Sequence, residues 1–171
     1  ISSRQSFAVC IDDEETNLEI LEIHLKKSGV DCKTIAYSEI GLDYVKENAD
    51  KIDVVILDIM MPGMDGITLL KELKKDPKTE KIPVIMQTAM TGEEKTVEGI
   101  EAGAYYYITK PYSHAVLVSI VQSALKEKRD SDDLKSEAIS LHNVVENLSS
   151  CTFEIKTFSE ARRVANYISR F

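Results

Sequence analysis

The chain has 171 residues, 43% apolar and 29% charged, with a net charge of −8. That length holds one ordinary domain of about 120–130 residues plus an appendage, and the composition is that of a soluble globular protein. Apolar runs such as Val54 to Leu57 are far too short to span a membrane, no secretory signal pattern opens the chain, and an acidic balance of −6 over residues 1–129 and −2 over residues 130–171 offers no basic face for nucleic acid.

Cys10, Cys32 and Cys151 are odd in number and lack metal-ligand spacing, so buried thiols in a reducing cytoplasm are expected. The chain opens on Ile1 rather than Met and is expected to be a piece of a longer protein.

In chain order, short β-branched runs alternate five times with amphipathic segments, the pattern of a parallel sheet covered by helices on both faces. The first strand is Phe7 to Asp12, and its helix covers Glu15 to Ser28 before Gly29 stops it. A second strand, Cys32 to Ala36, leads into a helix from Ser38 to Asn48. The third strand, Ile52 to Leu57, is apolar at successive positions, as a central parallel strand buried on both faces should be.

The loop Met61-Pro62-Gly63-Met64-Asp65-Gly66 breaks the backbone, and a helix from Ile67 to Lys75 follows. Strand four is Pro83 to Thr88, helix four Glu93 to Ala102, and strand five Tyr105 to Ile108. A last helix begins near Ser113 and runs to about Arg129, where Asp130-Ser-Asp-Asp133 interrupts it or continues it as a solvated patch.

In doubly wound sheets, ligands bind outside the carboxyl ends of the strands, where strand order reverses. Four of the five strand ends here are polar: Asp12-Asp13, Asp58, Thr88 and Lys110. Three ionised carboxylates in one crevice repel each other and call for a cation. Oxygen ligands plus waters suit Mg²⁺. Lys110 and Thr88 could meet the oxygens of a transferring phosphoryl group, leaving one carboxylate to attack phosphorus. Asp58 is the natural nucleophile, standing alone on the middle strand while Asp12 and Asp13 are paired as metal holders. Read singly, each residue has a plainer role: a helix cap for Asp12 and Asp13, a turn for Asp58, a strand-end residue for Thr88 and a surface position for Lys110.

Asp12-Asp13, the run Asp58-Ile-Met-Met-Pro-Gly-Met-Asp-Gly66, Thr88-Ala89 and Lys110-Pro111 resemble the landmarks of the response regulator receiver family, in order and at the family's separations, over residues 6–128. The resemblance implies a flavodoxin-like sheet of strand order 2-1-3-4-5. It also implies that Asp58 is the phosphoacceptor, that Asp13, Asp58 and the main-chain carbonyl of Met60 hold Mg²⁺, and that Asp12 helps through a metal-bound water. Thr88 and Lys110 would contact the phosphoryl group, with Lys110-Pro111 a cis bond. Thr88 and Tyr107 would form the switch, the aromatic ring turning inward as the threonine moves. The implied partner is a histidine kinase or phosphotransfer protein.

Tyr105 and Tyr106 depart from the acidic residues common in the family, and three consecutive tyrosines should turn at least one ring outward. Met60 and Met90 could screen the phosphoryl group from water. Two neighbouring folds fail on charge placement. A flavin site needs a small-residue phosphate loop where Asp12-Asp-Glu-Glu15 stands, and a haloacid-dehalogenase-type phosphatase carries its nucleophile after strand one.

Beyond the receiver (residues 1–128), residues 129–150 read as a helical linker. Leu134, Ala138, Leu141, Val145 and Leu148 repeat at coiled-coil spacing, which permits a homodimer or packing against the receiver. Residues 151–171 read as the start of a second domain: an alternating strand from Thr152 to Thr157, then a helix opened by the capping box Thr157-x-x-Glu160. That strand and helix are similar to the opening of the ATPase fold of anti-sigma-factor serine kinases. The expected function is a signalling switch with a C-terminal output, the alternatives being a regulatory receiver of an enzyme or a stand-alone adaptor.

Overall fold

The computed structural model describes the backbone of residues 4–89 and 93–168, with side chains described at 4–89 and 97–143. The chain divides into two compact units, residues 1–129 and 130–171. In the first unit the elements are β1 (Phe7–Ile11), α1 (Glu15–Lys27), β2 (Asp31–Ile35), α2 (Ser38–Glu47), β3 (Val54–Asp58), α3 (Gly66–Lys75), β4 (Val84–Thr88), α4 (Glu93–Glu101) and β5 (Tyr106–Thr109). The last helix, α5 (His114–Ile168), begins in the first unit and supplies the second.

All five strands are parallel, in the order β2-β1-β3-β4-β5. Side chains alternate between the two faces of a strand, so a sheet covered on both sides needs apolar residues at every position. β3 meets that need. Val55 and Leu57 join Val9, Ile11, Val84, Met86 and the apolar residues of α2 and α3 in one core. Val54 and Ile56 join Ala8, Cys10, Ile85 and the inner residues of α1 and α5 in the other. Each fully buried side chain of this size contributes about 1.5–3 kcal/mol, and these twin layers hold the strand ends at one rim.

Local sequence sets the element limits. Gly29 takes a left-handed φ of 77° after α1, a conformation that costs glycine little. The side chain of Asp65 caps α3 by accepting a hydrogen bond from Thr68 N at 2.7 Å. Gly66 begins α3 hard against the end of β3: a Cβ there would meet the carbonyl oxygen of Asp58 and lie 2.9 Å from Ile59 Cα. The helix can therefore start directly beside the residue that ends the central strand.

The C-terminal expectations are corrected in one respect. The strand expected at Thr152 to Thr157 is helical backbone, continuous with the rest of α5, and Asp130 to Asp133 does not interrupt it. No glycine or proline follows Pro111, so a helix nucleated at His114 extends one residue at a time without meeting a breaker. Period-two alternation over six residues cannot by itself oppose that propagation, because a strand needs a partner to pair with. Leu134, Ile139 and Leu141 in the second unit are exposed. Val145 and Leu148 lie where side chains are not described.

Candidate phosphoacceptor site

The reversal of strand order falls between β1 and β3, which run side by side while their crossovers lead to opposite edges of the sheet. Asp12 follows β1 directly, Asp58 is the last residue of β3, Thr88 the last of β4, and Lys110 follows β5. Asp12, Asp58 and Thr88 are buried, at 1%, 6% and 7% exposure, whereas Asp13 is exposed.

Lys110 ties the rim together. Its Nζ donates to Asp12 Oδ2 at 2.7 Å and to Asp58 Oδ1 at 2.8 Å. Its own backbone N donates to Thr88 O at 2.7 Å, fixing the end of β5 to that of β4. The following Lys110–Pro111 peptide is cis. The remaining carboxylate oxygens are held as well. Asp12 Oδ1 accepts from Glu14 N at 2.9 Å and Asn17 Nδ2 at 3.2 Å, and Asp58 Oδ2 accepts from Met60 N at 2.9 Å. The plainer reading of Asp12 is thus partly realised, since it holds the turn into α1, although Glu14 occupies the N-cap position itself.

Asp12, Asp13 and Asp58 each present a carboxylate oxygen within 4.8 Å of the others. Three carboxylates against one ammonium leave an excess of negative charge in a largely buried place. Burial pushes the Asp58 carboxyl above its ordinary range and Asp12 adds repulsion, although Lys110 and the Met60 amide pull the other way. Burial disfavours the charged Lys110, but its hydrogen bonds to Asp12 and Asp58 outweigh this and raise it. The cluster is made of hard oxygen donors around one point, and these donors suit Mg²⁺.

The three consecutive tyrosines diverge. Tyr105 Oη shares a hydrogen bond with Ser123 Oγ of α5 at 2.9 Å, Tyr106 is half exposed, and Tyr107 packs partly buried against the core beneath α3 and α4. The outward ring is Tyr106. Met60 is exposed beside the site, and Met90 lies outside the described residues.

Two polar features escaped sequence reasoning. Asn17 supports Asp12 from the first turn of α1, and its position five residues after Asp12 was the available signal. Gln87 is wholly buried on β4 and donates to Tyr112 Oη at 2.7 Å, while its Oε1 has no partner. Burial pushes the Tyr112 hydroxyl up to about 12. A lone glutamine in the apolar run of strand four was the visible sign.

A buried aspartate at the switch point thus stands with two further aspartates and a lysine that reaches across the sheet rim. The response regulator receiver domain profile matches residues 8–122. The chain belongs to that family. It is 35% identical over 130 residues to the response regulator PleD of Caulobacter vibrioides, a match that covers 76% of the chain and 28% of PleD. The chain therefore spans well under a third of that relative's length. A response regulator receiver domain protein from Clostridium thermocellum superposes with a TM-score of 0.69 at 31% identity, covering 72% of this chain and 97% of that one. A putative response regulator from Chloroflexus aurantiacus gives 0.68 at 32%, covering 72% and 99%. These receiver structures share the five-stranded sheet described above.

The raised carboxyl of Asp58 carries a pH consequence. A carboxyl whose folded pKa lies above its unfolded value favours folding when protonated, and that contribution is lost as pH rises through the folded value. In metal-free buffer Asp58→Asn is therefore expected to be more stable than the wild type near neutral pH. The gain should shrink as pH falls and wild-type Asp58 takes up its proton. Urea unfolding at several pH values checks this.

Proposed function

We propose that Asp58 accepts a phosphoryl group from a histidine kinase or phosphotransfer protein and that the acyl phosphate resets the α4 and β5 face to regulate an output. The single observation that carries this reading is the position of Asp58. Its buried carboxylate ends the central strand, crowded by Asp12 and Asp13 and held by one lysine.

In the proposed transfer an Asp58 oxygen attacks the phosphorus of a phosphohistidine, the P–N bond breaks, and the imidazole leaves with a proton. Lys110 offers its ammonium to the developing negative charge on the phosphoryl oxygens, and the Thr88 hydroxyl donates to one of them. Asp13, Asp58 and the Met60 carbonyl would hold Mg²⁺, with Asp12 acting through a water. A bound Mg²⁺ supplies charge neutralisation for the carboxylates and the transferring group. The groove lined by Asn17, Ile20, Pro111 and Tyr112 opens beside Lys110 and gives a donor protein an approach to the rim. Thr88 drawn toward the phosphoryl group and Tyr107 seated behind it form the switch, which shifts a pre-existing equilibrium.

Incubation with Mg²⁺ and acetyl phosphate is expected to add one phosphoryl group that hydroxylamine removes. Asp58→Asn should abolish the addition, because an amide is a poor nucleophile. Undiminished phosphate in that variant by mass spectrometry overturns the assignment.

We also propose that α5 pairs with a second copy through Leu134, Ala138, Leu141, Val145 and Leu148. The exposure of Leu134 and Leu141 supports this pairing, since a long helix with an open apolar stripe gains stability from a partner. The signalling role then lies in how phosphorylation alters the pairing, and the net charge of −8 argues against direct nucleic-acid binding. Light scattering is expected to find a dimer in the wild type and a monomer when Leu141 and Val145 are both replaced by Asp. A wild-type monomer, with and without beryllofluoride, removes the dimer from the account.

A further inference from the structure

Glycine inside a helix weakens it relative to alanine, so a buried glycine on α4 calls for a compensating contact. Gly99 has one. A Cβ built there would collide with the hydroxyl of Tyr107 and come within 2.5 Å of its Cε2 and Cζ. The tyrosine's ring end therefore lies across the helix backbone in the space that any other residue's side chain would fill. Gly99 is buried, while Val97, Glu98 and Ile100 around it are exposed, so the bare position faces β5. Tyr107 belongs to the partly buried shell of the core that also holds Ala102, Ala104 and Met86. Burial, and then the nearby Glu98 carboxylate, push its hydroxyl above the ordinary tyrosine range, as a half-enclosed phenol requires.

The other side of α4 is also tied. Glu98 accepts an ion-pair hydrogen bond from Lys71 of α3 at 2.7 Å. The helix is thus anchored to α3 on one flank, and on the other it offers a notch into which the tyrosine ring fits.

We infer that Gly99 is the seat for Tyr107, a positioning residue that lets the ring lodge against α4 and so makes the helix respond to the state of Asp58. The inference rests on the proposed phosphoacceptor reading and adds to it the residue on α4 that receives the switch aromatic. The seat admits the inward ring only because it lacks a side chain. The collision at Gly99 involves the free end of a side chain and not backbone, so rotation of Tyr107 is the cheap response to any added bulk. Gly99→Ala should therefore turn the ring outward while leaving the sheet and the carboxylates in place. The inward state, which the phosphoryl group favours, would lose its seat.

The test has two readouts. In wild type, NMR contacts between the Tyr107 ring protons and the Gly99 Hα are expected, and in Gly99→Ala the contacts from that ring to the backbone of residue 99 should vanish. Beryllofluoride affinity in the presence of Mg²⁺ should fall on the order of ten-fold in Gly99→Ala, within the usual range of coupling between distant sites. Tyr107→Ala should weaken it as well, and adding Gly99→Ala to Tyr107→Ala should change nothing further, because no ring remains to be displaced. Equal affinity in wild type and Gly99→Ala, or additive losses in the double variant, overturns the seat. A wild type that binds no beryllofluoride overturns the phosphoacceptor reading, and with it the seat's part in a switch, even where the NMR contacts are present.

Discussion

Lys110 reaches two buried carboxylates at once, and the geometry of the rim follows from that reach. Its ammonium bridges Asp12 after β1 and Asp58 at the end of β3, from a position beyond β5 at the sheet's far edge. Side chains from separate strands converge because the parallel sheet aligns its carboxyl ends and the strand order reverses beside β1. The lysine does not balance the charge. Asp13 stands with the other two, and the shortfall of positive charge is what suits the site to a dication. A fully balanced cluster would be a more comfortable structural feature and a poorer cation site. Functional sites carry such costs, and the two apolar layers around β3 offset them.

The sheet rim was legible because Asp12 and Asp58 break apolar runs and Thr88 and Lys110 add polar residues at two further strand ends. Asp58 after Val54-Val-Ile-Leu57 is conspicuous against a strand buried on both faces, and in β4 the polar pair Gln87-Thr88 closes the apolar run Val84-Ile-Met86. The structure brings Asp12, Asp13 and Asp58 together and lays Lys110 across two of them. Strand and helix limits agree with the sequence reading to within two residues through β5, because glycines, prolines and polar steps punctuate that part of the chain.

The remainder was hidden for identifiable reasons. From Ser113 onward no glycine or proline punctuates the sequence, and six alternating residues at Thr152 to Thr157 imitate a strand within what is one continuous helix. Gln87 and Tyr112 meet across 25 positions, a pairing that periodicity cannot reveal. Gly99 is recognisable only once the ring of Tyr107 is seen across it. Residues that act by leaving room give no positive signal in a sequence.

The most direct test of the account is the effect of Mg²⁺ on stability, since the central claim is that Asp12, Asp13 and Asp58 form a charge excess awaiting a cation. Thermal unfolding of the wild type in EDTA and in rising Mg²⁺ should show a progressive gain, about 2.7 kcal/mol at a hundredfold excess over the dissociation constant. Asp13→Ala, which removes an exposed donor without disturbing the Lys110 bridge, should lose most of that gain. An unchanged transition temperature in the wild type, or an equal gain in Asp13→Ala, would contradict the account.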